Sequence, residues 1–131
     1  HQVPPMEQQR LLLVDDEVTL LTTLKDFFER RGYRVWVTTS GEVALQIVSQ
    51  HHPHAVLLDL GLGASRIQGL DVLRHIKRQW SDIAVLMCSG SADAGQRVEA
   101  FALGADRFFD KPFKLAELLR AVQDVNGHRQ S

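Results

Sequence analysis

Sulfur chemistry is nearly absent from this chain: Cys88 is the single cysteine among 131 residues. An internal disulfide is therefore excluded, and a reducing cytoplasm is the default compartment. Long apolar runs are missing as well. None approaches the roughly 20 residues that span a bilayer, and residues 1–9 are polar and proline-bearing, unlike a secretory signal. Nor does one sign of charge dominate. Fifteen basic against sixteen acidic side chains leave a net charge of −1, which gives no electrostatic case for nucleic acid or an anionic membrane as a partner. What is present is an ordinary globular mixture, 44% apolar and 24% charged, long enough for one sizeable core. The chain opens with His1 and carries Met6 internally, so residues 1–9 are expected to be a disordered tail or an expression remnant. The domain is expected over residues 10–125, with a short C-terminal tail over 126–131.

Short apolar runs alternate about five times with segments of helical period. Residues 10–14 are apolar after Arg10, as a strand covered on both faces requires. Leu20, Leu24, Phe27 and Phe28 follow at helical spacing, and Arg30-Arg31-Gly32 closes that helix. On this stripe Val18 and Leu21 fall outside, which predicts that both are partly exposed. Residues 33–38 are β-branched and aromatic, a second strand. Ser40 is placed to cap a helix carrying Val43, Ala44, Ile47 and Val48, which Pro53 ends. Residues 55–58 and 83–88 are further apolar runs, separated by a glycine-rich stretch over 60–68 and a helix with Val72, Leu73 and Ile76. A weaker helix near 92–103, a short strand near 107–109 and a helix with Leu115, Leu118, Leu119 and Val122 complete the chain. Strands alternating with helices predict right-handed crossovers and a parallel sheet.

In such a sheet, ligand-handling groups gather at the carboxyl ends of the strands. The first run ends in Asp15-Asp16-Glu17, the third in Asp59, the fourth in Ser89, and the fifth leads through Asp110 to Lys111-Pro112. A carboxylate can attack a phosphoryl group to form an acyl phosphate. Neighbouring carboxylates would repel that group unless a hard cation such as Mg²⁺ intervenes, held by carboxylates and a backbone carbonyl. Gly61 is suitably placed in sequence for the carbonyl. Lys111 offers a point charge for phosphate oxygens, Ser89 a hydroxyl, and Gly90 a close-approaching backbone.

The segments Leu12-Leu13-Val14-Asp15-Asp16-Glu17, Leu57-Leu58-Asp59-Leu60, Ser89-Gly90, Gly104-Ala105-Asp106 and Asp110-Lys111-Pro112-Phe113 resemble, in order and interval, the receiver domain of bacterial response regulators. The resemblance covers residues 10–125. It implies a flavodoxin-like, doubly wound α/β fold: a five-stranded parallel sheet in the order 2-1-3-4-5 with five helices. It implies Mg²⁺ held by Asp15, Asp16, Asp59 and the Gly61 carbonyl, and phosphate received on Asp59 from a histidine kinase or histidine phosphotransfer protein. Ser89, Gly90 and Lys111 would bind the phosphoryl oxygens, Ser89 and Phe108 would form the switch, and the Lys111–Pro112 bond would be cis. The output face would be the fourth helix, fifth strand and fifth helix, while Val18 and Leu21 would face the phosphate donor. A homodimer is compatible with the resemblance. Departures are Gly63 where family members often carry proline, about two extra residues between Asp59 and Gly69, Phe108 in place of tyrosine, and serine for threonine at 89.

Plainer readings stand beside these. His51, His52 and His54 read as a solvated loop at a helix end, because no cysteine or carboxylate set accompanies them. Gly61-Leu62-Gly63 lacks the third glycine of a dinucleotide loop, since Arg66 stands there. An aspartyl phosphatase of the haloacid dehalogenase type would want a second aspartate two positions after Asp59, where Gly61 stands. A phosphorylation-independent binding module on the same fold is the other alternative, and the intact acidic, hydroxyl and lysine set argues against it. Beyond residue 125 too little chain follows for an effector, so either a free-standing regulator or part of a larger one is expected.

Overall fold

Apolar runs one after another become strands, and the helices between them cover both faces of the resulting sheet. The computed structural model describes residues 7–130, with side chains through Asn126. The strands are β1 (Arg10–Val14), β2 (Arg34–Thr38), β3 (Ala55–Asp59), β4 (Ala84–Ser89) and β5 (Arg107–Asp110). Between and after them run α1 (Val18–Glu29), α2 (Gly41–His51), α3 (Gly69–Gln79), α4 (Ala94–Ala102) and α5 (Leu115–Gln130). The sheet order is β2-β1-β3-β4-β5 and every pairing is parallel. This is the doubly wound order that the family resemblance implies.

Strand side chains alternate between two cores, as the two-residue period of a strand requires. Leu12, Val14, Val56, Leu58, Val85 and Met87 pack with Ala44, Val48, Val72, Leu73 and Ile76 on one face. Leu11, Leu13, Leu57 and Leu86 pack with Leu24, Phe28, Leu118 and Val122 on the other. Each such buried aliphatic side chain contributes roughly 1.5–3 kcal/mol from water exclusion.

Leu21 departs from expectation. It is 4% exposed and belongs to the second core, so the buried stripe of α1 is Leu21, Leu24 and Phe28. Those positions are three and four residues apart, the spacing of one helical face. Leu20 is instead only partly buried at the edge of that stripe, and Val18 is 64% exposed as predicted. The last helix also runs further than the sequence suggests. It continues to Gln130, and Val125 and Asn126 are buried, so the stretch read as a tail is helical. At the other end, residues 1–6 lie outside the described residues, while Gln8 Nε2 donates to the Gly32 carbonyl and Glu7 pairs with Arg10.

Local signals explain most boundaries. Ser40 Oγ accepts the Val43 N–H and starts α2. Asp93 accepts the Gln96 N–H and starts α4, two residues later than the sequence suggests. Lys77 of α3 donates to the Ile83 carbonyl at 2.8 Å and to Asp106 at 2.9 Å, while Asp106 also accepts the Val85 N–H. That network fixes the helix to the entry of β4 and β5. The histidine cluster behaves as a helix end: His52 adopts a left-handed cap, His51 stacks on Trp36, and His54 Nδ1 accepts the Arg10 N–H.

Candidate functional site

Parallel pairing places the carboxyl ends of β1, β3, β4 and β5 along one edge, so side chains remote in sequence meet there. In register, Asp59 sits opposite Cys88, and Ser89 opposite Asp110. Asp59 ends β3 because the chain turns away immediately afterwards. The Leu60 N–H still donates to Cys88, and the Gly69 N–H then donates back to the Leu60 carbonyl. A side chain at Gly69 would collide with the backbone of Asp59 and Leu60, so only glycine lets α3 begin this close to the acid.

Asp15 and Asp59 are both buried, at 3% and 6% exposure. Their oxygens and the Cys88 sulfur all lie within 4.8 Å of one another, the ligand-type cluster found among the described residues. Lys111 Nζ stands 2.8 Å from Asp15 Oδ2, 3.1 Å from Glu17 Oε1 and 3.5 Å from Asp59 Oδ2. Asp15 Oδ1 accepts the Glu17 N–H, but Asp15 Oδ2 makes no hydrogen bond despite its closeness to the ammonium. The Lys111–Pro112 peptide is cis, as the family resemblance implies.

Electrostatics follow from this crowding. Burial raises the Asp59 carboxyl to about 7, the Asp15 charge adds to the rise with a smaller push from Asp16, and Lys111 opposes it. For Lys111, burial works against the charge, yet Asp15, Glu17 and Asp59 outweigh it and hold the ammonium firmly protonated. Burial, then Asp59, pushes the Cys88 thiol upward.

The other predicted residues take distinct places. Asp16 is exposed and points at the β3–α3 loop: a Cβ on Gly63 would lie 3.0 Å from its Oδ2. It stands outside the tight Asp15–Asp59–Cys88 group. Gly61 is exposed, with open space where a side chain would project. Ser89 is 5% exposed, its hydroxyl accepts the Ser91 N–H at 3.1 Å, and its carbonyl accepts the Lys111 N–H. Gly90 lines a 310 Å³ cleft with Glu17, Leu20, Lys111, Pro112, Phe113 and Leu115. Phe108 is half-buried beneath the Arg97 guanidinium, 4.5 Å from its ring centre, and 6.4 Å from the Phe101 ring. Sequence reasoning missed Glu17, a third partner of Lys111, and the proximity of Cys88. The acidic run 15–17 was a usable signal for the first; the register of β3 against β4 was needed for the second.

This donor set fits a hard divalent cation. Two buried carboxylates offer oxygens, whereas the Cys88 thiol is held protonated and unsuited to such an ion. An ammonium beside them supplies counter-charge for a transferred anion.

Comparison with known proteins points the same way. Residues 11–123 match the response regulator receiver domain family. The chain is 37% identical over 113 residues to the transcriptional regulatory protein KdpE of Mycobacterium tuberculosis, covering 86% of this chain and 49% of that protein. It is 31% identical over 120 residues to the probable transcriptional regulator ycf27 of Porphyridium aerugineum, covering 92% and 49%. The chain thus spans about half the length of the curated relatives it matches. Among solved structures, the receiver domain of NtrX from Brucella abortus superposes with a TM-score of 0.83 at 31% identity, over 89% of this chain and 98% of that one. A CheY-like receiver domain protein from Methanospirillum hungatei shares the fold with a TM-score of 0.90 at 22% identity, over 95% and 98%. With the family's ordered motifs converging on one sheet edge, this chain belongs to the response regulator receiver domains of two-component signalling systems.

Proposed function

We propose that Asp59 is the phosphoryl acceptor, receiving phosphate from a histidine kinase or histidine phosphotransfer protein in a Mg²⁺-dependent step. The observation that carries this reading is the buried Asp59 carboxylate with Asp15 beside it and the Lys111 ammonium 3.5 Å away. Asp15, Asp16, Asp59 and the Gly61 carbonyl would hold the ion. When bound, the ion supplies positive charge that lets carboxylates and phosphoryl oxygens coexist.

In the transfer, an Asp59 oxygen forms the new O–P bond. The P–N bond of the donor phosphohistidine breaks, and the imidazole nitrogen keeps the electron pair. Lys111, now shared with Asp15 and Glu17, turns its ammonium toward the phosphoryl oxygens, and the Ser89 hydroxyl and the Gly90 N–H donate to them. Ser89 moves toward the adduct and Phe108 follows into the space released, altering the α4–β5–α5 face that engages an output domain or partner. Reversing an equilibrium of 1:99 takes roughly 5.5 kcal/mol of differential stabilisation, within reach of a buried group carrying nearly two negative charges. The domain catalyses its own phosphorylation and dephosphorylation rather than turning over an external substrate. We place it in the cytoplasm, beside the kinase that would serve it; among the described residues no helix is long and apolar enough to cross a membrane. Val18, exposed on α1, faces the donor.

Incubation with acetyl phosphate and Mg²⁺, followed by intact-mass measurement, tests this. The expected result is one labile phosphoryl adduct, lost in Asp59→Ala and in EDTA. An adduct that survives Asp59→Ala would overturn the assignment.

A further inference from the structure

The segment between Asp59 and α3 is held by side chains to which the transfer chemistry gives no part. Gln68 Oε1 accepts the Leu62 N–H at 2.7 Å, and Gln68 Nε2 donates to the Ser65 carbonyl at 2.8 Å and to the Gly63 carbonyl at 3.4 Å. One amide therefore grips three loop residues. Ser65 Oγ accepts the Gly41 N–H and donates to Glu42, both at 3.0 Å, tying the same loop to the first turn of α2. Leu62 anchors it in the core at 1% exposure. Gly63, at φ +55°, brings this braced loop close to Asp16: a Cβ placed on it would lie 3.0 Å from Asp16 Oδ2, and Asp16 lines one cavity with Leu62, Ala64 and Ser65.

We propose that Gln68 is a positioning residue that sets divalent-cation affinity by fixing residues 62–65, and through Gly63 the Asp16 carboxylate. The proposal rests on the phosphoryl-acceptor reading above. A carboxylate beside a braced backbone loses little freedom when an ion arrives; beside a loose loop, that ordering is deferred to the binding step and weakens it.

The test is a Mg²⁺ titration followed by amide NMR shifts at about pH 8 on the whole chain. Wild type, Asp59→Asn, Gln68→Met, Gln68→Glu and Ser65→Ala are compared, each with its melting temperature in EDTA. Gln68→Met keeps the length but loses every hydrogen bond, and is expected to bind Mg²⁺ on the order of tenfold more weakly. Gln68→Glu retains the acceptor for Leu62 and is expected to fall between. A purely structural role would lower the melting temperature yet leave the affinity of the folded protein unchanged, so wild-type affinity in Gln68→Met overturns the proposal. If Gln68→Met does not fold, Ser65→Ala decides: a severalfold loss is expected, and native affinity overturns it. Failure of the wild type to bind Mg²⁺ would instead sink the phosphoryl-acceptor reading, and this inference with it.

Discussion

Lys111 Nζ lies nearer to Asp15 than to Asp59, 2.8 Å against 3.5 Å. The ammonium is thus anchored by the β1 acid while remaining one short swing from Asp59, the proposed phosphoryl acceptor. In this position it holds two buried carboxylates together.

Removing that charge should therefore expose their repulsion. Lys111→Met is expected to be destabilised by about 3 kcal/mol without divalent ions, as when one partner of a buried pair is deleted. Mg²⁺ should restore much of the loss by replacing the missing charge. Melting curves in EDTA and in excess Mg²⁺ measure both; equal melting temperatures for mutant and wild type in EDTA would refute the bridging role.

Asp59 has an inverted pH signature. Its carboxyl sits at about 7 in the folded chain against an ordinary 3.8, so the folded state binds the extra proton between those values. The stability this contributes is complete below the ordinary value and disappears as pH climbs through 7. Asp59→Asn should accordingly raise the melting temperature at about pH 8 and do so much less at about pH 5. Because Mg²⁺ competes with that proton, its affinity for wild type should increase up to neutrality and then level off. A stabilisation larger at pH 5 than at pH 8 would contradict the assignment.

On α1 the two candidate donor contacts now separate. Leu21→Ala, at a buried position, should cost about 2–5 kcal/mol through the cavity it leaves. Val18→Asp, on an exposed one, should leave the melting temperature nearly unchanged and slow phosphotransfer from the donor without slowing acetyl phosphate. Equal transfer rates from the kinase for Val18→Asp and wild type would remove Val18 from the donor surface.

Arg97 covers the Phe108 ring and pairs with Asp110. Such a cation–π contact at a half-exposed site is worth about 0.5–1 kcal/mol. Arg97→Ala should release the ring by that amount, visible as altered Phe108 ring resonances in the unphosphorylated protein. Unchanged resonances would mean that Arg97 does not restrain it.

Much of this was legible in the sequence because strand ends are written plainly. Asp15, Asp59 and Ser89 each follow an apolar run, Lys111 stands one residue beyond another, and parallel order then brings them to one edge. Leu21 was misplaced because Leu20 and Leu21 are adjacent on a helix and only about 100° apart. The docking angle of α1 on the sheet, which no periodicity records, chooses between them. Ser65 and Gln68 escaped notice for a related reason. Loop hydrogen bonds have no period, and their partners Gly41, Glu42, Leu62 and Gly63 are defined only once two loops have met. The helical end of α5 was obscured by Asn126-Gly127, a pair that reads locally as a stop.

Cys88 sits wholly buried beside the acid pair with its thiol held protonated. Since the thiolate is the reactive species, an alkylating reagent can reach this sulfur only when the packing around it opens. The chain thus carries its own clock: the rate at which iodoacetamide consumes Cys88 counts how often the surrounding core opens, and an ion bound at the adjacent acid pair should slow the clock.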